Sequence, residues 1–130
     1  ETGLLPGALL CNGKLKFLCK PVALTVKTSA SPFTSAWNAG EVATVPIAHH
    51  DGAYVADPET LAELEGEDRV AFTYTDGAPN GAVRDIAGVL SANRRVLGMM
   101  PHPERAVDPA HGGTDGAPLF RSLADALVSA

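Results

Sequence analysis

Apolar residues recur every second position in several short stretches and every third or fourth position in two others, which divides the chain into predicted strands and helices. Leu15, Phe17 and Cys19 alternate with Lys14, Lys16 and Lys20, and Val22, Leu24 and Val26 alternate in the opposite phase. Both runs read as half-buried strand, and the slip at Lys20-Pro21 predicts a bulge or bend. Ser29 to Phe33 reads as turn, Trp37 stands alone among polar residues, and Glu41 to Ala48 is a further strand ending in His49-His50-Asp51-Gly52. Asp57-Pro58-Glu59 offers an N-cap, a proline for the first helical turn and an early acid, and Leu61 and Leu64 follow at helical spacing, so a short helix begins here. Arg69 to Thr75 is a strand, Asp76-Gly77 and Asn80-Gly81 mark turns, and Ile86 to Leu90 should pair with Val96 to Met100 across Ser91 to Arg95. Beyond a loop around His111, Leu123, Leu127 and Val128 share a stripe in the pattern opened by Pro118-Leu119-Phe120, which predicts a closing amphipathic helix. At the other end, Gly3 and Pro6 read as the stop signals of a helix, so the chain is expected to be a fragment.

Val96-Leu97-Gly98-Met99-Met100 is uncharged and gives way at once to Pro101-His102-Pro103-Glu104-Arg105. Its length and composition predict a strand with both faces covered, stopped by Pro101, which cannot donate to a ladder. Pro103 should push His102 to an extended conformation, so that His102 and Glu104 face the same side with Cα atoms about 6.6 Å apart. A carboxylate at that distance can fix the tautomer of the imidazole and favour its charged form, leaving the other ring nitrogen to exchange a proton with a nucleophile.

Composition narrows the setting. With 45% apolar and 19% charged residues over 130 positions, the chain can bury one real core. No linker divides it. Ten basic against fifteen acidic residues, a formal charge of −5, lack any basic block that would follow a phosphate backbone, so no nucleic acid partner is expected. No apolar run reaches the roughly 18 residues of a membrane span, and no membrane association is expected; the protein reads as cytoplasmic. Cys11 and Cys19 share one alternating segment and are expected to be free thiols.

Asn80-Gly81, Asp85-Ile86-Ala87-Gly88 and Val96 through Arg105 resemble the C-terminal signature of the glutaminase subunits of phosphoribosylformylglycinamidine synthase. Gly3 to Leu9, Leu15-Lys16-Phe17, Ser31-Pro32-Phe33 and Pro46-Ile47-Ala48-His49 are similar to the same family in the same order, so the resemblance covers nearly the whole chain. It implies an α/β fold of the class I glutamine amidotransferase (flavodoxin-like) type. The intact domain would have a mainly parallel sheet flanked by helices, with residues 1–130 supplying only the C-terminal part. The implied chemistry is hydrolysis of glutamine. A cysteine thiolate attacks the carboxamide, a histidine shuttles the proton to departing ammonia, and water releases glutamate. His102 and Glu104 would be the catalytic histidine and glutamate, and His49 would contact substrate. No cofactor is implied. An ATP-dependent synthetase subunit would use the ammonia in de novo purine biosynthesis, alongside a small accessory subunit, and ATP would not bind this chain.

The resemblance also implies a nucleophile on a sharp strand-to-helix elbow, upstream of Glu1, so the chain alone is expected to be inactive. Cys11-Asn12-Gly13 mimics that elbow, yet leads into the strand-like Lys14 to Cys19 instead of a helix whose dipole would favour a thiolate. His50 stands where the family usually has glycine, and Asp51 where it has glutamate.

Two other readings come from different classes. His49, His50, Asp51, His102, Glu104 and His111 include enough nitrogen and oxygen ligands for a metal-dependent hydrolase built on His49, His102 and Glu104. Adjacent histidines on a strand, however, point to opposite faces. The other reading is a non-catalytic remnant that serves as an interaction module.

Overall fold

The computed structural model describes residues 3–13, 17–111 and 113–129. Five strands form the main sheet: β2 (Leu18–Val26), β3 (Val42–His49), β5 (Val70–Tyr74), β6 (Ile86–Leu90) and β7 (Leu97–Met99), in the order β3-β2-β5-β6-β7. A separate ribbon pairs β1 (Ala8–Cys11) with β4 (Asp51–Val55). Every described strand pair is antiparallel, so the mainly parallel pairing expected of the intact domain does not lie among the described strands of this portion. A parallel pair needs a long crossover. Here the connection that carries a helix, β4 to β5, joins strands of different sheets.

The sheet is strongly curled. Met100 still donates to Ala87 on β6, while His102 donates to Pro46 on the outer edge of β3, at the far side of the sheet. Two residues reach about 7 Å, whereas four interstrand spacings would hold β7 and β3 about 19 Å apart if flat. The curl thus brings the two edges together, and the segment after β7 spans them.

Phase and burial part company in β2. Its pairing with β3 runs without a break from Leu18↔His49 to Thr25↔Val42, so the bulge predicted at Lys20-Pro21 is absent. Phe17 and Cys19 instead lie exposed while Leu24 and Val26 are buried. Pro21 sits opposite Pro46, and because the Pro46 carbonyl points outward to His102, this is a non-hydrogen-bonded pair in which the missing N–H groups cost the β2/β3 ladder nothing.

One core joins both halves of the chain, with Leu24, Val26, Ile47, Leu64, Phe72 and Leu90 buried at its centre. Trp37 is no isolated aromatic. Its ring meets Phe72 edge to face at 5.5 Å, a favoured aromatic geometry. The predicted short helix is α1 (Pro58–Gly66), capped by the Asp57 side chain, which accepts from Thr60 N at 2.7 Å, with Leu61 and Leu64 buried. The closing helix is α2 (Ala117–Ser129), but its predicted stripe is only partly used. Leu119 is buried and Leu123 packs on the core, whereas Leu127 and Val128 are 79% and 87% exposed. Ser122 anchors the helix by accepting from Ala36 N at 2.8 Å, so contact with the core is made through its first turns. β7, predicted to be covered on both faces, is a half-buried strand at the end of the sheet. No helix among the described residues is long and apolar enough to cross a membrane.

Candidate active site

The segment that bridges the two sheet edges carries the polar pair. His102 Nδ1 and Glu104 Oε1 are 2.8 Å apart, with the histidine part-buried and the glutamate more open. The extended stretch predicted here is a single 3₁₀ turn, Pro103–Arg105, with His102 at its non-helical cap (φ −107, ψ 84). Proline accounts for both features: it disfavours helical geometry in the residue before it and fits the first position of the turn. Arg105 N donates to the His102 carbonyl and Ala106 N to that of Pro103, so the backbone that carries the pair is hydrogen-bonded on itself.

Gly116 supports this turn from below, a role with no signature in the sequence. A Cβ there would overlap the Pro103 carbonyl oxygen and lie 2.7–2.8 Å from the carbonyl carbon and Cα. Gly116 N also donates to Ala106 O, and the neighbouring Asp115 accepts from Thr44 N on β3. The turn is therefore held between β3 and the start of α2.

His49 ends β3 pointing inward and is buried, while His50 faces solvent, as strand geometry predicts for adjacent residues. Both ring nitrogens of His49 are engaged. Nδ1 lies 3.0 Å from Asn12 Oδ1, and Nε2 lies 3.5 Å from Asn80 Nδ2. Since an amide nitrogen only donates and an amide oxygen only accepts, this assigns the proton to Nδ1 of a neutral ring. Asn12 completes a two-point clasp by donating to the His49 carbonyl, and Asn80 Nδ2 gives one hydrogen to Gly52 O at 2.9 Å and shares the other between Tyr74 OH at 3.1 Å and His49 Nε2. Burial drives the Tyr74 hydroxyl up to about 12. Sequence reasoning missed both asparagines, whose partners in this cluster lie mostly far along the chain.

Burial, and then repulsion from His102, holds the His49 pKa below its ordinary 6.5. The unfolded chain therefore binds a proton more readily than the folded one. Stability from this group is present above about pH 6.5 and is lost as pH falls through the lowered folded value. Chemical denaturation at pH 7.5 and pH 5.5 should show a smaller loss of stability on acidification in His49→Gln than in the wild-type chain. An equal loss in both would place the acid sensitivity elsewhere.

Cys11 and Cys19 are free and exposed. Cys11 closes β1 opposite Asp51, whose hydrogen bond and negative charge push the thiol up, the reverse of an activated thiolate. Residues 14–16, part of the predicted strand-like run after Cys11, lie outside the described residues, and β2 follows them. The metal-dependent reading built on His49, His102 and Glu104 is not favoured, because the imidazole nitrogens of His49 already have amide partners. The side chain of His111 lies outside the described residues.

Residues 6–114 match the family model of the CobB/CobQ-like glutamine amidotransferase domain. The chain is 68% identical over 129 residues to the phosphoribosylformylglycinamidine synthase subunit PurQ of Roseobacter denitrificans, covering 99% of itself and 58% of that protein. It is 69% identical over 130 residues to the PurQ subunit of Ruegeria pomeroyi, with 100% and 58% covered. The chain thus spans a little over half the length of these relatives. Among solved structures, PurLQS from Thermotoga maritima superposes with a TM-score of 0.86 at 43% identity, over 96% of this chain and 55% of the other. The glutaminase domain of Trypanosoma brucei CTPS shares the fold, with a TM-score of 0.52 at 12% identity over 85% and 40%.

Proposed function

Since the chain belongs to the CobB/CobQ-like glutamine amidotransferase family, we propose that residues 1–130 are part of a class I amidotransferase domain in the glutaminase subunit of phosphoribosylformylglycinamidine synthase. That subunit hydrolyses glutamine to glutamate and ammonia for de novo purine biosynthesis in the cytoplasm. Its partners in this reading are an ATP-dependent synthetase subunit, which consumes the ammonia, and a small accessory subunit.

The hydrogen bond between His102 and Glu104 carries the reading. With Glu104 accepting from Nδ1–H, Nε2 is the nitrogen left to take a thiol proton and return it to the departing ammonia, while the carboxylate stabilises the transient imidazolium. The curl of the sheet positions this pair near the end of β3, where burial of His49 fixes the loop through Gly52. His49 serves substrate binding through that loop, since its ring is already engaged. We assign the nucleophile to the share of the relatives that this chain does not span. Cys11 is turned toward Asp51, and neither thiol is hydrogen-bonded to the His102 ring.

In the complete enzyme, Glu104→Gln should lower glutamate release at least about tenfold by disturbing the tautomer and removing the stabilising charge. Synthesis from added ammonia should be unaffected. Coupled assays with glutamine and with ammonium chloride as nitrogen donor separate the two, and unchanged glutaminase turnover would leave Glu104 a structural residue.

A further inference from the structure

A second cluster of reactive side chains, sharing no residue with the His102–Glu104 pair, lies at the end of the β1/β4 ribbon. The ribbon runs in simple register from Ala8↔Val55 to Leu10↔Ala53, then shifts by one so that Cys11 faces Asp51 instead of Gly52. A bulge of this kind re-aims a side chain. Without it, Cys11 would face a residue with no side chain at all. The bulge is fixed by packing, because a Cβ at Gly52 would overlap the buried His49 ring. Asn12, itself buried, donates from its backbone to His50 O and from its side chain to His49 O, each at 2.9 Å, and Gly13 N donates to Asn80 O at 2.8 Å. The result is a hydrogen-bonded backbone that presents three exposed side chains together. A sulfur, an imidazole nitrogen and a carboxylate oxygen from Cys11, His50 and Asp51 all lie within 4.8 Å of one another.

We propose that Cys11, His50 and Asp51 form a binding site for a divalent cation of the zinc class, with a fourth coordination position open to water. Tetrahedral zinc holds sulfur at about 2.3 Å and nitrogen or oxygen at about 2.0–2.2 Å, so its ligand atoms sit about 3.3–3.8 Å apart. Rotation of exposed side chains closes the remaining 1 Å or so, and His50 already leans on Asp51 at 2.9 Å. Thiolate and imidazole select a borderline-soft ion over magnesium or calcium, which favour all-oxygen sites. The buried Asn12 and His49 beneath the loop hold the ligand-bearing backbone, as outer residues do around other metal centres. The ion replaces the thiol proton of Cys11 and the hydrogen bond between His50 and Asp51, and no electron transfer is involved.

Titration of the reduced, chelator-treated full chain with Co²⁺ should give a saturable near-ultraviolet band from thiolate-to-metal charge transfer, bleached by one equivalent of Zn²⁺. Cys11→Ser should abolish the band, and Cys19→Ser should keep it. His50→Asn and Asp51→Asn should each weaken Zn²⁺ binding by at least about 10-fold, since loss of even an outer partner costs about 10- to 100-fold, measured by competition with a chromophoric chelator. All four positions are exposed, so the variants retain the fold, and circular dichroism checks this. The proposal is overturned by the absence of a band in the wild-type chain, by a band that survives Cys11→Ser, or by affinity indifferent to His50 and Asp51, which would indicate an ordinary surface thiol. None of these outcomes depends on glutaminase activity.

Discussion

His102→Ala in the complete enzyme is expected to lower glutamine-dependent amidine synthesis by about 10²- to 10⁴-fold, the usual contribution of a positioned acid–base group, while ammonia-dependent synthesis stays at the wild-type rate. The split follows from where the imidazole acts. In the proposed function it handles the proton that passes between thiol and departing ammonia, a step that supplied ammonia bypasses. Losing the side chain also removes the hydrogen-bond partner of Glu104, but this carboxylate is largely solvated, so little stability should go with it. Steady-state rates with glutamine and with ammonium chloride, taken beside thermal melts, test each part. Equal loss of both activities would mean that His102 supports the subunit interface or the fold instead of the chemistry.

The polar pair was legible in the sequence because its cause is local. Pro103 acts on the residue before it and on the turn that follows, so the proximity of His102 and Glu104 could be read from three consecutive residues even though the backbone is a turn and not a strand. Pairing of Ile86–Leu90 with Val96–Met100 was equally readable, since a short polar connection leaves two apolar runs little choice but an antiparallel pair. Burial was not. Five apolar residues in a row look alike in a covered central strand and in a half-buried strand at the end of a sheet, and β7 is the latter. Phe17 and Cys19 continue the apolar alternation yet face outward, so their change of phase marked a change of exposed face, with no bulge. Leu127 and Val128 have the periodicity of a packed stripe but no packing surface among the described residues. Periodicity reports which side chains share a face, and only the tertiary contacts determine whether that face is covered.

The support beneath the site was invisible for a further reason: its contacts join residues far apart in the chain. Asn12 meets His49 across 37 positions, and Asn80 meets Gly52 across 28. Each asparagine taken alone is an ordinary turn residue. Their value comes from burial, where an amide whose groups are all satisfied specifies one arrangement and an unsatisfied one is costly.

Gly116 offers the strictest test of whether backbone placement governs the chemistry, because it touches neither His102 nor Glu104 in the described contacts. Gly116→Ala should lower glutamine-dependent turnover of the complete enzyme by about 10²-fold, the loss that a 1 Å misplacement can cause, and destabilise the fold by about 1–3 kcal/mol through overpacking. The new methyl meets main-chain atoms of Pro103, which cannot rotate aside as the end of a flexible side chain could. Either the Pro103–Arg105 turn shifts or the start of α2 does. Both movements strain the hydrogen bond from Gly116 N to Ala106 O, and the first also disturbs the one from His102 N to Pro46 O that holds the turn on β3. Gly66→Ala, at the end of α1, is the control, since a Cβ at Gly66 meets no atom within 4 Å and its backbone lies outside the left-handed region. Kinetics with both nitrogen donors and denaturant titration of the two variants separate the effects. If Gly116→Ala loses stability but keeps its glutamine-dependent rate, the start of α2 gives way instead of the turn, and the contacts of His102 with Pro46 and Glu104 suffice to align it.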